Sequence, residues 1–274
     1  MVGGRGGGRH DVVGLSGSVQ PTMYAGAGAA WAGGATLAYG PLARHLVDRC
    51  PVPLERRRVL DAGAGTGAAS EVLAARGADV IATDLEVDML QCRSTAEPAA
   101  VADIHVLPFR AGAFDACIAA FVLNHLAEPA RALRELSRVT ARRGSILASV
   151  FSVAEQSVKT TIDDILTADG WTPPASYLEM RRCADAIGTI EQMSVVAAAA
   201  GLDDFDVHED VVDVGLDDPA LIVRYRLGLS HIAGFVDAMP ADRRRALVVR
   251  ATRAVAATGE PFRPTVIELV ASVS

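Results

Sequence analysis

Residues 58–151 alternate short apolar runs with stretches of helical spacing, and that alternation restricts this chain to a small set of folds. Arg58–Ala62 reads as a buried strand and Ala68–Arg76 as a helix stopped by Gly77. "ADVIATD" is a second strand, ending in Asp84, with a helix over Val87–Arg93 behind it. "AAVADIHV" is a third and weaker strand, and "AFDACIAAFV" a fourth. Pro129–Thr140 is an amphipathic helix with Leu133, Leu136 and Val139 on one face, and "GSILASVF" a fifth strand after a turn at Gly144. Strands separated by such helices pair in parallel through right-handed crossovers, with helices on both faces of the sheet. The expected fold class is α/β, doubly wound.

The flanking segments differ. Residues 1–18 are glycine-rich and polar and read as a disordered leader. Thr22–Val47 has a helical pattern carrying Tyr24, Trp31 and Tyr39. Downstream, Ser152–Ala186 is mostly helical with a break at "GWTPPASY", and Thr189–Ala200 is a helix ending at Gly201. "DDFDVHEDVVDV" alternates as a strand, Asp217–Met239 and Asp242–Thr258 read as two helices, and "TVIELVASV" is a last strand. The expected organisation is a leader at 1–18, cap helices at 19–50, a core at 51–151, a helical lid at 152–187, and the rest of the core at 188–274 with a helical insertion at 214–260.

Composition removes several function classes. With 26 basic against 33 acidic residues the net charge is −7, which argues against a nucleic-acid or anionic-membrane surface. Lys159 is the only lysine, read here as a bias toward arginine. Cys50, Cys92, Cys117 and Cys183 are scattered without metal-ligand spacing, so no metal is expected, and free thiols fit a cytoplasmic protein. Val12–Ala43 lacks any charge, but its glycines, alanines, Pro21 and Pro41 replace the dense Leu/Ile/Val run of a membrane span or signal peptide.

"VLDAGAGTG" follows the first strand. Gly63, Gly65 and Gly67 let the chain turn tightly and let a ligand approach the main chain where a helix begins. A dinucleotide turn needs Gly-x-Gly-x-x-Gly. Here the spacing is Gly-x-Gly-x-Gly, and Asp61 two residues upstream would repel a pyrophosphate but suit a ligand with a cationic amino group. Asp84, at the tip of the second strand, either accepts from two ribose hydroxyls or caps the next helix. Asp103 with Ile104 can accept from an adenine amino group and pack on its ring.

These stretches, with "VIATDLEVDML", "ADIHVLPFRAGAFDACIAAFVLNHL" and "EPARALRELSRVTARRGSILAS", resemble the successive motifs of class I S-adenosylmethionine-dependent methyltransferases, nearest the ubiquinone/menaquinone-biosynthesis-like small-molecule group. The resemblance covers residues 58–151 well and 22–47 loosely. It implies a Rossmann-like, mostly parallel seven-stranded sheet with an antiparallel last strand, for which "TVIELVASV" is suited, and a helical cap. It implies S-adenosyl-L-methionine as cofactor, with Asp61, Ala62, Gly63 and Gly65 facing its methionine part. Asp84 would hold the ribose, Leu85 and Met89 the adenosine, and Asp103 and Ile104 the adenine, with Phe121 and Tyr24 lining the cofactor. Glu86 departs from the pattern, because many relatives carry serine there.

Methyl transfer from a sulfonium needs orientation and a dry site, and a general base only where the acceptor must lose a proton. His125, His231 and Glu155 are the candidates for catalytic roles, each with an ordinary structural role also open to it. Trp31, Trp171, Tyr177, Arg181 and Tyr225 are expected to bind an acceptor that is small and mostly apolar. Should two or more of Arg181, Arg182, Arg224 and Arg226 converge on the pocket, the acceptor carries a carboxylate or phosphate. The expected activity is methylation, at carbon or oxygen, of a metabolite or secondary-metabolism intermediate, an isoprenoid diphosphate among the options, by a monomer or homodimer. The alternative is a protein of the same fold that uses bound cofactor without transferring methyl, for example in cyclisation.

Overall fold

A computed structural model describes residues 24–154 and 157–274. The expected leader at 1–18 lies outside the described residues, as does Glu155. The chain opens with α1 (Gly28–Gly33) and α2 (Thr36–Asp48), then enters the sheet with β1 (Arg58–Ala62), α3 (Ala68–Ala75), β2 (Asp79–Asp84), α4 (Val87–Gln91) and β3 (Ala99–Val101). β4 (Phe114–Ala120) leads through a 3-10 turn at Leu123–His125 to α5 (Pro129–Val139) and β5 (Thr140–Phe151). The lid helices α6 (Ser157–Ala168) and α7 (Ala175–Asp185) follow, then α8 (Ile190–Ala199) and β6 (Asp204–Val211). The chain ends with α9 (Pro219–Leu227), α10 (Ser230–Asp237), α11 (Ala241–Thr258) and β7 (Thr265–Ser272).

The seven strands form one sheet in the order β3-β2-β1-β4-β5-β7-β6. All pairs from β3 to β5 are parallel, and β7 runs antiparallel to both β5 and β6. Successive residues of a strand point to opposite faces. Val59, Ile118 and Leu147 therefore pack under α2 and α3, while Leu60, Cys117 and Ile146 pack under α5 and α8. Strand order reverses between β1 and β4, and the crevice at the carboxyl ends of these strands is where ligands of open α/β sheets bind.

Local chemistry sets the element ends. Asp218 caps α9, its side chain accepting from the Ala220 N–H at 2.8 Å, with Pro219 at the first helical position. Thr189 caps α8 in the same way through Gln192. Glu268, buried on β7, accepts from Arg49 Nε at 2.5 Å and lies 3.1 Å from His45 Nδ1. Arg49 also reaches Asp210 on β6, so the end of α2 is bound to the antiparallel edge by one arginine that bridges both carboxylates.

Three expectations are corrected. The stretch Asp217–Met239 is two helices, α9 and α10, because Gly228 passes so close to Gly34 that a Cβ on it would lie 3.0 Å from the Gly34 Cα, and Leu229 turns extended. β5 begins at Thr140, directly after α5, and not after a turn at Gly144. The third strand is only Ala99–Val101, leaving Asp103 and Ile104 in the loop beyond it. Among the described residues no helix is long and apolar enough to cross a membrane.

Leu136 is fully buried where α5 meets the sheet. Leu136→Ala is expected to destabilise the protein by about 2–5 kcal/mol, since a cavity is added to the lost transfer energy. Urea denaturation measures this, and a loss under about 1 kcal/mol would contradict the packing described.

Candidate functional site: an acid-lined glycine turn and a cap cavity

Asp61 is the penultimate residue of β1, flanked by Ala82 of β2 and Ile118 of β4. Asp61 is 1% exposed, and its carboxylate accepts from Ser70, the Oγ lying at 2.6 Å and the Ser70 backbone N–H assisting. Burial pushes its pKa up to about 6, against the opposing pull of Ser70 and Arg93. The following turn needs glycine. Gly63 has φ +72°, and a Cβ there would lie 2.3 Å from Val122 Cγ2. Its N–H, with that of Ala64, donates to the Thr83 carbonyl, at 2.7 and 2.9 Å.

Asp84 closes the turn from β2. One carboxylate oxygen accepts from the Gly65 N–H and the other from the Glu86 N–H, both at 2.8 Å. Burial raises its pKa, while these two N–H groups work in the opposite sense. Each oxygen retains a lone pair, so the carboxylate can still accept from a ligand hydroxyl. Around it, Met89 is buried beside Gly65, and Leu85 is 39% exposed. Asp103 accepts from both the backbone N–H and Nδ1 of His105, each at 2.8 Å. Partial burial opposes them, but these two groups hold its carboxyl below the ordinary range. Ile104 beside it is buried.

The tip of β4 is strained. Phe121 takes φ +58°, a conformation that costs a non-glycine residue about 1–3 kcal/mol and collects at functional sites. Its N–H bonds the Ser149 carbonyl at 2.8 Å, and its ring packs on Tyr39 and Phe151 with centroids 5.2 and 4.6 Å apart. Nearby, the Tyr24 hydroxyl lies 3.0 Å from His125 Nε2. Asn124 Nδ2 lies 3.2 Å from the same nitrogen. Both contacts suit a neutral imidazole whose Nε2 accepts. Burial supports that state by pushing the His125 pKa down to about 4. Burial, then the Asp84 charge, raises the Tyr24 pKa, so Tyr24 and His125 stand between the acidic turn and the cap.

Behind them lies a cavity of about 200 Å³ between α2, the lid helices and α9–α10. Trp31, Tyr39, Tyr177 and Tyr225 give it aromatic walls. Its basic groups are Lys159, Arg181 and Arg226, with His231 and Ser230 beside them and the carboxylates of Asp163 and Asp185 on the same lining. Of the residues singled out from sequence, the fold gathers Tyr24, Trp31, His125, Tyr177, Arg181, Tyr225 and His231 on this cavity. Trp171 stands behind the wall, its Nε1 donating to the His231 carbonyl at 3.1 Å. Arg224 turns away and donates to the Gly33 carbonyl, and Arg182 is exposed.

Sequence reasoning gave Lys159 and Asn124 no role at the site and left the direction of Arg226 open. One signal was present. Val158, Ile162 and Leu166 form the buried stripe of α6, and Lys159 and Asp163 follow it one residue out of phase, four residues apart. A chain with a single lysine places it on the flank of a buried helix face.

Known proteins resemble this chain in sequence and fold. Residues 60–148 match a family model described as a methyltransferase domain. A demethylmenaquinone methyltransferase of Renibacterium salmoninarum is 39% identical over 112 residues, 40% of this chain and 47% of that protein. The chain thus spans about half the length of the curated relatives it matches. Among solved structures, Haemonchus contortus phosphoethanolamine N-methyltransferase 2, in complex with S-adenosyl-L-methionine, superposes with TM-score 0.55 at 17% identity, over 84% of this chain and 52% of that one. The [4+2]-cyclase SpnF superposes with TM-score 0.50 at 20% identity, over 85% and 80%. These two likenesses are likenesses of fold.

The native pKa of Asp61 lies above the unfolded value of about 3.9. Its protonation therefore favours the fold fully below pH ~4, and that contribution is lost as pH rises through about 6. Asp61→Asn is expected to raise the stability of the ligand-free protein by about 2–3 kcal/mol at pH 8 and to change it little at pH 4. Urea denaturation at the two pH values checks this, and equal effects at both would contradict a desolvated carboxylate.

Proposed function

We propose that this chain, whose residues 60–148 match a methyltransferase domain, is of the class I, S-adenosylmethionine-dependent type and transfers a methyl group from S-adenosylmethionine to a small, mostly apolar acceptor held in the cap cavity. The observation that carries the proposal is the pair of carboxylates around the glycine turn. Asp61 is buried with one hydrogen bond from a side chain, and Asp84 is fixed by two N–H groups. Two acids at this place disfavour a pyrophosphate and favour a ligand with a cationic end and a diol.

When bound, S-adenosylmethionine supplies a methyl group on a sulfonium. Asp61 would receive the ammonium of its amino-acid end, beside the exposed main chain of Ala62, Gly63 and Gly65. Asp84 would accept from the ribose hydroxyls, with Leu85 and Met89 alongside. Asp103 and Ile104 would take the adenine, and Phe121 and Tyr24 would bound the cofactor on the cap side. His125, neutral and bonded to Tyr24, orients that hydroxyl and is too weak a base to hold a proton at neutral pH. The aromatic walls exclude water and position an acceptor carbon or oxygen.

The acceptor class we favour is a metabolite or natural-product intermediate. Identity with quinone-methylating relatives across the core supports transfer over cyclisation, although a cyclase shares the fold. Incubation with S-adenosylmethionine and a panel of phenols, quinols and unsaturated acids should give S-adenosylhomocysteine and a product heavier by one CH₂. An acceptor converted at unchanged mass would instead support the cyclase reading.

Asp84→Ala is expected to weaken S-adenosylhomocysteine binding roughly 10–100-fold, on the order of 1–3 kcal/mol for an acceptor lost to the ribose. Calorimetry measures it, and unchanged affinity in a folded variant would refute the ribose assignment.

A further inference from the structure

The cap cavity holds more positive charge than its own carboxylates answer. Arg226 is buried and spoken for, with Nε donating to one oxygen of Asp163 at 2.9 Å and a terminal nitrogen to the other at 2.5 Å. That leaves Lys159. Its ammonium lies 4.5 Å from the ring centre of Phe151 and 5.2 Å from that of Phe262. Among the described residues it has neither an ion pair nor a hydrogen bond. Arg181 stands at the mouth beside the Tyr177 hydroxyl, with Asp185 in its vicinity. Three basic side chains thus face two carboxylates on this wall, in a chain whose net charge is −7.

Neutral polar atoms point to the same deficit. His231 Nε2 and Ser230 Oγ, both able to donate, are buried on this cavity without a partner among the described residues. The His231 ring is stacked on Tyr177, with centroids 3.8 Å apart and planes 11° from parallel, so it cannot turn away to find one. Burial and the charges of Arg226, Lys159 and Arg181 push its pKa down to about 2, so it stays neutral and cannot add a further cation. Buried donors without acceptors are costly, and a ligand that brings the acceptors removes the cost.

We propose that the cap cavity takes an acceptor bearing an anionic head group, a carboxylate or a phosphate, held by Lys159 with Arg181, His231 and Ser230, its apolar body lying among Trp31, Tyr39 and Tyr225 toward Tyr24 and His125. An ammonium, a guanidinium and neutral donors on one wall match the several lone pairs of such a head. The excess of one positive charge fits a head of one or two negative charges better than a diphosphate. The word acceptor rests on the methyl-transfer reading of the neighbouring turn, whereas the anion site stands on its own residues.

The ligand-free wall also has a signature. Burial, aided by Arg226 and Arg181 and opposed by Asp163, pushes the Lys159 pKa down to about 7, and a bound anion reverses this.

Because Lys159 is the only lysine, isotope-labelled lysine gives one side-chain signal in the whole protein. It should titrate near pH 7 in the free protein. Saturating benzoate or phenyl phosphate should raise that midpoint by about one unit or more, and benzyl alcohol should not. The tighter of the two anions names the head group, and inorganic phosphate alone measures the head without its body. By calorimetry, K159M should bind the anion ~10–100-fold more weakly and K159R should restore most of the affinity. Both variants should bind S-adenosylhomocysteine as the parent does, which also shows that they fold. A lysine titrating near its ordinary value of about 10.4, equal binding of benzyl alcohol, or an anion affinity untouched in K159M would each overturn the proposal. Anion binding in a protein that does not take S-adenosylhomocysteine would sink the methyl-transfer reading and leave the anion site standing.

Discussion

The grip of Asp84 on the Gly65 and Glu86 N–H groups is the joint on which the site depends. A turn of three left-handed glycines has little conformational preference of its own. Here it is fixed from two sides, by the Thr83 carbonyl accepting from Gly63 and Ala64 and by the Asp84 side chain. The same carboxylate that orders the loop presents its remaining lone pairs to the crevice. Asp61 supplies the second acid, held ready by a single serine in a place where water cannot solvate it. The result is an unliganded turn that is electrostatically costly, and a cationic ligand end would relieve the cost.

From this joint the rest is arranged outward. Strand order reverses beside β1, which opens the crevice. The strained Phe121 ends β4 and sends its ring into the aromatic cluster that the N-terminal helices complete. Tyr24 and His125 then divide two environments. One is acidic, beside the glycine turn, and the other is aromatic with an uncompensated basic wall. A cofactor with a positive centre and an acceptor with a negative head would meet at that division, each drawn to its own side.

Much of the fold was legible because the β/α alternation of residues 58–151 is strongly patterned, and the parallel strands lie where their apolar runs lie. The limits have physical causes. Helical periodicity runs unbroken through Leu229, so the split between α9 and α10 shows only once Gly34 meets Gly228 in space. Gly144 made the start of β5 read as a turn, yet strand pairing reaches back to Thr140 opposite Phe114. The acids at the strand tips could be placed because their spacing follows the strands. Several cap residues could be named, but not their arrangement, since the cavity is assembled from four separate segments. Lys159 was noticed as a compositional oddity, and its burial beside a spent Asp163 is a property of packing alone.

Calorimetric titration of the full chain with S-adenosylhomocysteine, against NAD under the same conditions, tests the central claim most directly. Asp61 and Asp84 around a side-chain-free turn predict saturable binding of the adenosyl ligand and none of the dinucleotide. Binding of NAD with no affinity for S-adenosylhomocysteine would contradict the account.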